Sequence, residues 1–556
     1  MQNVLSKITL LLFVLVQSSC YLTPFVKYGL NNEGFKKFSK KEKLAGNNDN
    51  PQRAYKINRY DWAVELIPNK ERISGEMKIT FTPSIRKDTF MFDLQKRMKI
   101  ESFTSSVSGA KLKHKGDFLF LSFPTDQDFT SRISLTISYR GKPVKTLGEG
   151  PIQWKKDKKG RHWISSITEG IGPHFMMPCN ILLGNEADTT SINVTVPSDL
   201  TVTANGQLIE VTKDDNKKTF KHLVTNPINI YNISFNAGNF TKIEKPYLDI
   251  NGIERNIECF VMDYNKEIAS EYYNQAPLIM KEFEQIFGAF PWWNDGCRFV
   301  ESTFSAMEHQ SCIAMGDDYE KNWKDTINTT LVHELAHEWW GNSVTGKDYC
   351  DIWIHEGIAT YSEALFLERH LGVEDYSKRI QRMLFSTSNT IPIHKVCGVI
   401  YNSWTNAPDQ DIYDKGALMM HSLRILVNDD RLFLNALKQI QIDFQEKNVS
   451  SEEMVVKLNE LLLDDYSPML NWYLYETKPP QLEIKLDRIK SKLHYRWEKE
   501  IPLMKQQELL MAMNGDKIVL NPSTEFQSMD IVPGQKLDFL IERGIYYELK
   551  ILEILE

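Results

Sequence analysis

From residue 55 to 240, apolar residues repeatedly alternate with polar ones. Met77, Ile79 and Phe81 alternate with Lys78 and Thr80, and Ile133, Leu135, Ile137 and Tyr139 with Ser134, Thr136 and Ser138. Ile192, Val194 and Val196 repeat the pattern around Asn193 and Thr195. A period of two marks strands with one buried face, and Asn205-Gly206 predicts a hairpin between two of them. Residues 51–242 therefore read as an antiparallel β domain. Near residue 260 the spacing becomes helical. Asn265 to Phe287 predicts a helix ended by Gly288 and Pro291, and helical segments dominate residues 243–476. Pro479-Pro480 breaks the chain, after which Leu482, Ile484 and Leu486 alternate again. Asn514-Gly515 predicts another hairpin, and Tyr547, Leu549 and Ile551 a final strand. Residues 477–556 have the size of a small β-sandwich. The fold class expected is multidomain α+β: an N-terminal antiparallel β domain, a mainly helical domain and a C-terminal β-sandwich.

The N-terminus adds a targeting signal. Lys7 precedes an apolar run from Ile8 to Val16, followed by small residues and Cys20. The run is too short to span a bilayer and has the order of a secretory signal over residues 1–19. Ser18-Ser19-Cys20 resembles a bacterial lipoprotein cleavage site, in which Cys20 becomes the lipid acceptor; Gln17 departs from that pattern. The alternative is a plain secretory signal with Cys20 incidental. The polar, charged residues 20–50 read as a tether. The expectation is an exported protein at a bacterial cell envelope, lipid-anchored or otherwise secreted.

Composition narrows the class. With 42% hydrophobic and 25% charged residues, the chain is ordinary globular protein, neither disordered nor coiled coil. A net charge of −7 with dispersed Lys and Arg gives no basic footprint, so no nucleic-acid partner is expected. None of the seven cysteines forms a C-x-x-C pair, so a cysteine zinc site is not expected.

Candidate chemistry concentrates in TINTTLVHELAHEWWG, residues 326–341. His333-Glu334-Leu335-Ala336-His337 is an H-E-x-x-H motif. On a helix, residues four apart share a face, about 6 Å apart along the axis, and two imidazoles so placed can hold one Zn²⁺. Glu334 sits beside them as a proton acceptor. Asp325 or Thr326 could cap this helix. A catalytic zinc takes a third protein ligand. Glu356 is the candidate, 18 residues beyond His337 on a second helical pattern, and His355 is its rival. Neighbours on a helix point ~100° apart, so only one can face the metal.

These residues resemble the M1 family of zinc aminopeptidases, which pairs H-E-x-x-H with a Glu 18 residues on, in a W-x-x-E-G context; here that is Trp353 to Gly357. Ser305-Ala306-Met307-Glu308-His309 resembles the family's Gly-Ala-Met-Glu-Asn stretch, departing at Ser305 and His309. Tyr413-Asp414-Lys415-Gly416-Ala417 resembles its Tyr-x-Lys-Gly-Ala stretch. Met177-Pro178-Cys179 resembles a Phe-Pro-Cys element, and counting back from it reaches Glu169.

The resemblance implies a saddle-like β domain, a thermolysin-like catalytic domain and a β-sandwich. It also implies one zinc held by His333, His337 and Glu356, with Glu334 as general base. Tyr413 would stabilise the oxyanion, and Glu308 and Glu169 would bind the substrate's α-amine. The expected activity is removal of N-terminal residues from peptides. A thermolysin-type endopeptidase and a catalytically silent binding protein on the same scaffold are the alternatives. Glu363, two turns after Glu356, could support a ligand from behind. The family's larger members carry a further helical domain after the sandwich; its absence from this sequence would leave the site more open.

Overall fold

The computed structural model describes residues 38–124, 131–144, 150–170, 172–319, 327–400, 410–500, 509–513, 516–531, 537–538 and 544–555. The signal segment 1–19 and Cys20 lie outside these residues. Among the described residues, no helix is long and apolar enough to cross a membrane.

The alternating segments become strands, and their apolar members turn inward. Met77, Ile79 and Phe81 (strand Arg72–Pro83) are fully buried, as are Ile192 and Val194 (strand Thr189–Pro197). A seven-stranded sheet runs through this region. Its centre, Tyr55–Ile67, pairs antiparallel with Arg72–Pro83 but parallel with Thr189–Pro197. The sheet is therefore mixed, not purely antiparallel. The parallel pair joins strands more than a hundred residues apart, a separation that allows the crossover parallel strands require.

Asn205-Gly206 is not a hairpin. The strand before it, Thr201–Ala204, pairs with Phe235–Gly238, and the strand after it, Gln207–Asp214, with Lys217–Val224. The turn instead passes the chain between two sheets. Asn205 is buried and donates to the Gln310 carbonyl at 2.7 Å. Gly206 has φ +78° and lies against the Leu223 backbone, where a Cβ would stand 2.3 Å from the carbonyl oxygen.

The tether expectation fails for residues 38–50. Lys40–Gly46 is a helix with a Ser39/Glu42 capping box. It is docked by an ion pair from Lys41 to Asp117 and a 3.3 Å bond from the Ile400 N–H to the Glu42 carbonyl. Asn48 donates to Asp348 at 2.6 Å. Lys-rich composition suggested a solvated spacer; complementary carboxylates on the folded surface make it a packed element.

The helical pattern after residue 260 resolves into Lys266–Tyr272 and Ala276–Phe287, stopped by Gly288 at φ +100°. The site-bearing helices Thr329–Ala336, Trp353–Leu371 and Asp414–Val427 follow. Beyond Pro479-Pro480, one four-stranded and one three-stranded sheet form. Asn514 and Gly515 lie outside the described residues; the strands flanking them pair antiparallel, with Met513 opposite Asp516. Leu482, Ile484 and Tyr547 join the same apolar core as these three helices, whereas the N-terminal strands enclose a core of their own. A disulfide joins Cys350 to Cys397, tying the residue-397 segment to the turn that leads into Trp353–Leu371.

Candidate metal centre

The first helix of the site starts at Asn328, whose side chain accepts the Leu331 N–H at 2.9 Å. The caps proposed from sequence, Asp325 and Thr326, lie outside the described residues. The helix is shorter than the 326–341 pattern suggested: it ends at Ala336, and turns lead on to Gly341. His337 keeps helical angles (φ −61°, ψ −23°), so the two imidazoles still meet. Gly341 has φ +120°, and a Cβ there would press on His355 and His337 at 3.2–3.3 Å.

His333 Nε2 and His337 Nε2 are 3.0 Å apart, and Glu356 Oε2 lies 3.3 Å from the first and 3.4 Å from the second. Two ligands ~2.0–2.1 Å from one tetrahedral zinc stand roughly 3.3 Å apart, so the spacing of the three donors fits that ion. Their tautomers are set from behind. His333 Nδ1 lies 3.1 Å from Glu363 Oε1, and His337 Nδ1 lies 2.9 Å from the Trp340 carbonyl. Both partners accept, so each Nδ1 carries the proton and each Nε2 presents its lone pair. Arg379 Nε donates to the other Glu363 oxygen at 2.9 Å.

His355, the rival ligand by sequence, points elsewhere. Its Nε2 accepts the Gly346 N–H at 2.7 Å, and burial pushes its pKa down to about 3, so it stays neutral.

Helix Asp414–Val427 approaches Trp353–Leu371 through glycines. A Cβ on Gly416 would stand 2.8 Å from the Gly357 Cα. That contact brings Tyr413, which immediately precedes Asp414–Val427, near the donors: its ring stacks 6.1 Å from that of His333. Lys415 is a structural anchor, donating to the Glu476 and Thr477 carbonyls at 2.7 and 2.8 Å. Trp353 donates to Ser451 at 2.8 Å, and Ser451 to Asp351 at 2.7 Å, fixing the start of the Glu356 helix.

Glu308 follows the short strand Ala306–Met307 and is buried. One carboxylate oxygen each of Glu169, Glu308 and Glu356 falls within a 4.8 Å cluster. Residues separated by 139 positions in the sequence thus share one pocket with the metal donors. Sequence reasoning missed Tyr231, whose hydroxyl lies 3.2 Å from Glu308 Oε1, as well as Arg379 and Asn342. No local pattern distinguishes Tyr231 among 22 tyrosines.

The pocket is strongly cation-seeking. Burial raises Glu169 well above the usual carboxylate range, and the charges of Glu308 and Glu356 add to the rise. Burial lifts Glu334 to about 8 against the pull of both imidazoles, and one Glu334 oxygen is buried with no hydrogen-bond partner among the described residues. Burial also works against ionisation of Glu356, but His337 and His333 outweigh it and hold the group well below the usual range. The same carboxylates raise both imidazoles above their ordinary value; so many desolvated carboxylates are stable together only with positive charge among them. The donor set fits a divalent metal and leaves carboxylate capacity for a second positive group.

The model of the peptidase family M1 domain matches residues 274–473. The chain is 22% identical to human aminopeptidase B over 405 residues, spanning 67% of this chain and 55% of that protein. It is 23% identical to the leucyl aminopeptidase of Saccharolobus solfataricus over 375 residues, 62% of this chain and 44% of the other. The chain thus spans about half the length of these curated relatives. Its fold is similar to that of an M1 zinc metallopeptidase mutant from Deinococcus radiodurans bound to a Tyr-Ser-Ala substrate. The TM-score is 0.67 at 20% identity, covering 77% of this chain and 96% of the other.

Proposed function

We propose that this protein is a zinc-dependent aminopeptidase that hydrolyses the first peptide bond of peptides. The observation that carries the reading is the pair of carboxylates, Glu308 and Glu169, clustered with Glu356 beside the two imidazoles. His333, His337 and Glu356 would hold the zinc. When bound, zinc supplies a Lewis acid that activates water and polarises the scissile carbonyl. The chain's own groups do the rest. The unpartnered Glu334 oxygen takes the proton of the attacking water and passes it to the leaving amine. The Tyr413 hydroxyl donates to the developing oxyanion. Glu308 and Glu169 accept charge-assisted hydrogen bonds from the α-ammonium, so that only the first peptide bond reaches the reacting groups.

The two alternatives fare less well. An endopeptidase has no use for buried carboxylates that a free amine must neutralise. A silent scaffold would have no need of a general base aimed at the ligand cluster. An exported setting agrees with the Cys350–Cys397 disulfide, because such bonds persist in oxidising compartments; we extend the proposal to a bacterial cell envelope, with Cys20 as lipid acceptor.

The test is hydrolysis of a panel of aminoacyl-p-nitroanilides and their N-acetylated counterparts by zinc-loaded protein. Free-amine substrates should be cut and blocked ones spared. Glu334→Gln should keep its zinc and lose hydrolysis, and Glu308→Ala should raise KM for free-amine substrates. Equal cleavage of blocked and free substrates by the wild type would overturn the proposal.

A further inference from the structure

Resting on the aminopeptidase reading, we propose that the turn Ile230–Asn232, acting with His355, is the positioning element of the amine-binding carboxylates. Three separate contacts tie this one turn to both of them. The first is a directed relay. The Gly346 N–H can only donate, and it donates to His355 Nε2 at 2.7 Å. The imidazole proton therefore sits on Nδ1, which faces the Tyr231 hydroxyl oxygen at 3.4 Å. With its lone pair so engaged, the single hydroxyl proton of Tyr231 is directed at Glu308 Oε1, 3.2 Å away. A chain that begins at an obligatory donor thus ends by giving Glu308 a donor, which favours the ionised carboxylate and fixes its rotamer.

The second contact reaches Glu169. The Tyr231 carbonyl accepts from Thr168 Oγ1 at 2.8 Å, one residue before Glu169. The third reaches the Glu308 backbone. Asn232 Nδ2 donates to Asn342 Oδ1 at 2.6 Å, and Asn342 Nδ2 donates to the Glu308 carbonyl at 3.0 Å. The turn is itself held by Asn229, which accepts the Tyr231 N–H at 3.2 Å and donates to the Leu183 carbonyl at 2.6 Å. Tyr231, Asn232, Thr168 and His355 are all buried.

The turn comes from the strand-rich N-terminal region, whereas Glu308 and His355 come from the helical region. The amine site is therefore assembled across the contact between the two, while the hydrogen bonds behind His333 and His337 come from the helical region alone. Recognition of the free amine is separable from the hydrolytic step.

The experiment compares an aminoacyl-p-nitroanilide with its des-amino acyl counterpart, using zinc-loaded wild type, Tyr231→Phe, Thr168→Val, His355→Gln and His355→Leu. In Tyr231→Phe, KM for the free-amine substrate should rise about tenfold with kcat within about twofold. Cleavage of the des-amino substrate and zinc content should not change, because the lost interaction is made equally in ground and transition states. Thr168→Val should shift KM the same way by less. His355→Gln, which keeps an acceptor and a donor, should lie closer to wild type than His355→Leu. Unchanged KM in Tyr231→Phe, or equal losses on both substrates, would overturn the positioning role. A wild type that does not discriminate between the two substrates would instead overturn the aminopeptidase reading.

Discussion

Glu363 offers the sharpest test of how the metal donors are held. Its carboxylate is 6% exposed and bridges His333 Nδ1, at 3.1 Å, and Arg379 Nε, at 2.9 Å. Burial works against its ionisation, but Arg379 and His333 outweigh that and keep it below the usual carboxylate range. As an anion it raises the basicity of the imidazole and blocks the tautomer that would turn a proton toward the metal. Glu363→Ala removes a charge-assisted bond of about 1.5–3 kcal/mol. Partners of this kind typically change metal affinity 10–100-fold, or about 1.4–2.7 kcal/mol. The two ranges overlap, so a fall in zinc affinity of about that size is expected. Glu363→Gln keeps the acceptor without the charge and should fall between. Arg379 is 17% exposed, so water can solvate it once its partner is gone. The assay is equilibrium competition with a chromophoric chelator, followed by kcat at saturating zinc, which should recover most of the wild-type value. Wild-type zinc affinity in Glu363→Ala would refute the argument.

Two predictions concern the scaffold. The Cys350–Cys397 bond closes a separation of 47 residues, for which chain entropy gives about 4 kcal/mol. Cys350→Ala with Cys397→Ala should lower the urea midpoint accordingly, and an unchanged midpoint would show that the bond adds nothing. Glu186 is buried and pushed up to about 7 from 4.5, chiefly by desolvation. Its folded form holds the proton more tightly than the unfolded chain, so stability present below pH 4.5 is lost as pH rises to about 7. The loss comes to about 3.5 kcal/mol, from about 1.4 kcal/mol per pH unit over about 2.5 units. Glu186→Gln should therefore stabilise the protein at pH 8 and have little effect at pH 4, measured by thermal unfolding; the same effect at both pH values would refute it.

The sequence by itself determined the elements and the chemistry of single segments. Period-two alternation put Met77, Ile79 and Ile192 inside because a strand presents alternate residues to one face whatever it packs against. The four-residue spacing of His333 and His337 fixed their convergence for the same local reason. It survived even though the helix proved shorter than its pattern. Gly357 and Gly416 stood within the two recognised motifs, but why they must be glycine is visible only where their helices touch. Tertiary structure alone decided the rest. Asn205-Gly206 has the local chemistry of a hairpin, yet the partners of its strands lie elsewhere, so it became a crossover. The polar residues from Lys41 to Asn48 looked solvated until Asp117 met Lys41 and Asp348 met Asn48. His355 and Glu356 were adjacent candidates whose choice depended on the Gly346 N–H. Tyr231 and Asn232 carry no local signature because their role is defined by the groups they meet across a domain contact, and Thr168 because its partner is the Tyr231 carbonyl, distant in sequence. Spacing along a chain encodes what one helix or strand presents; only packing decides which presentations come together.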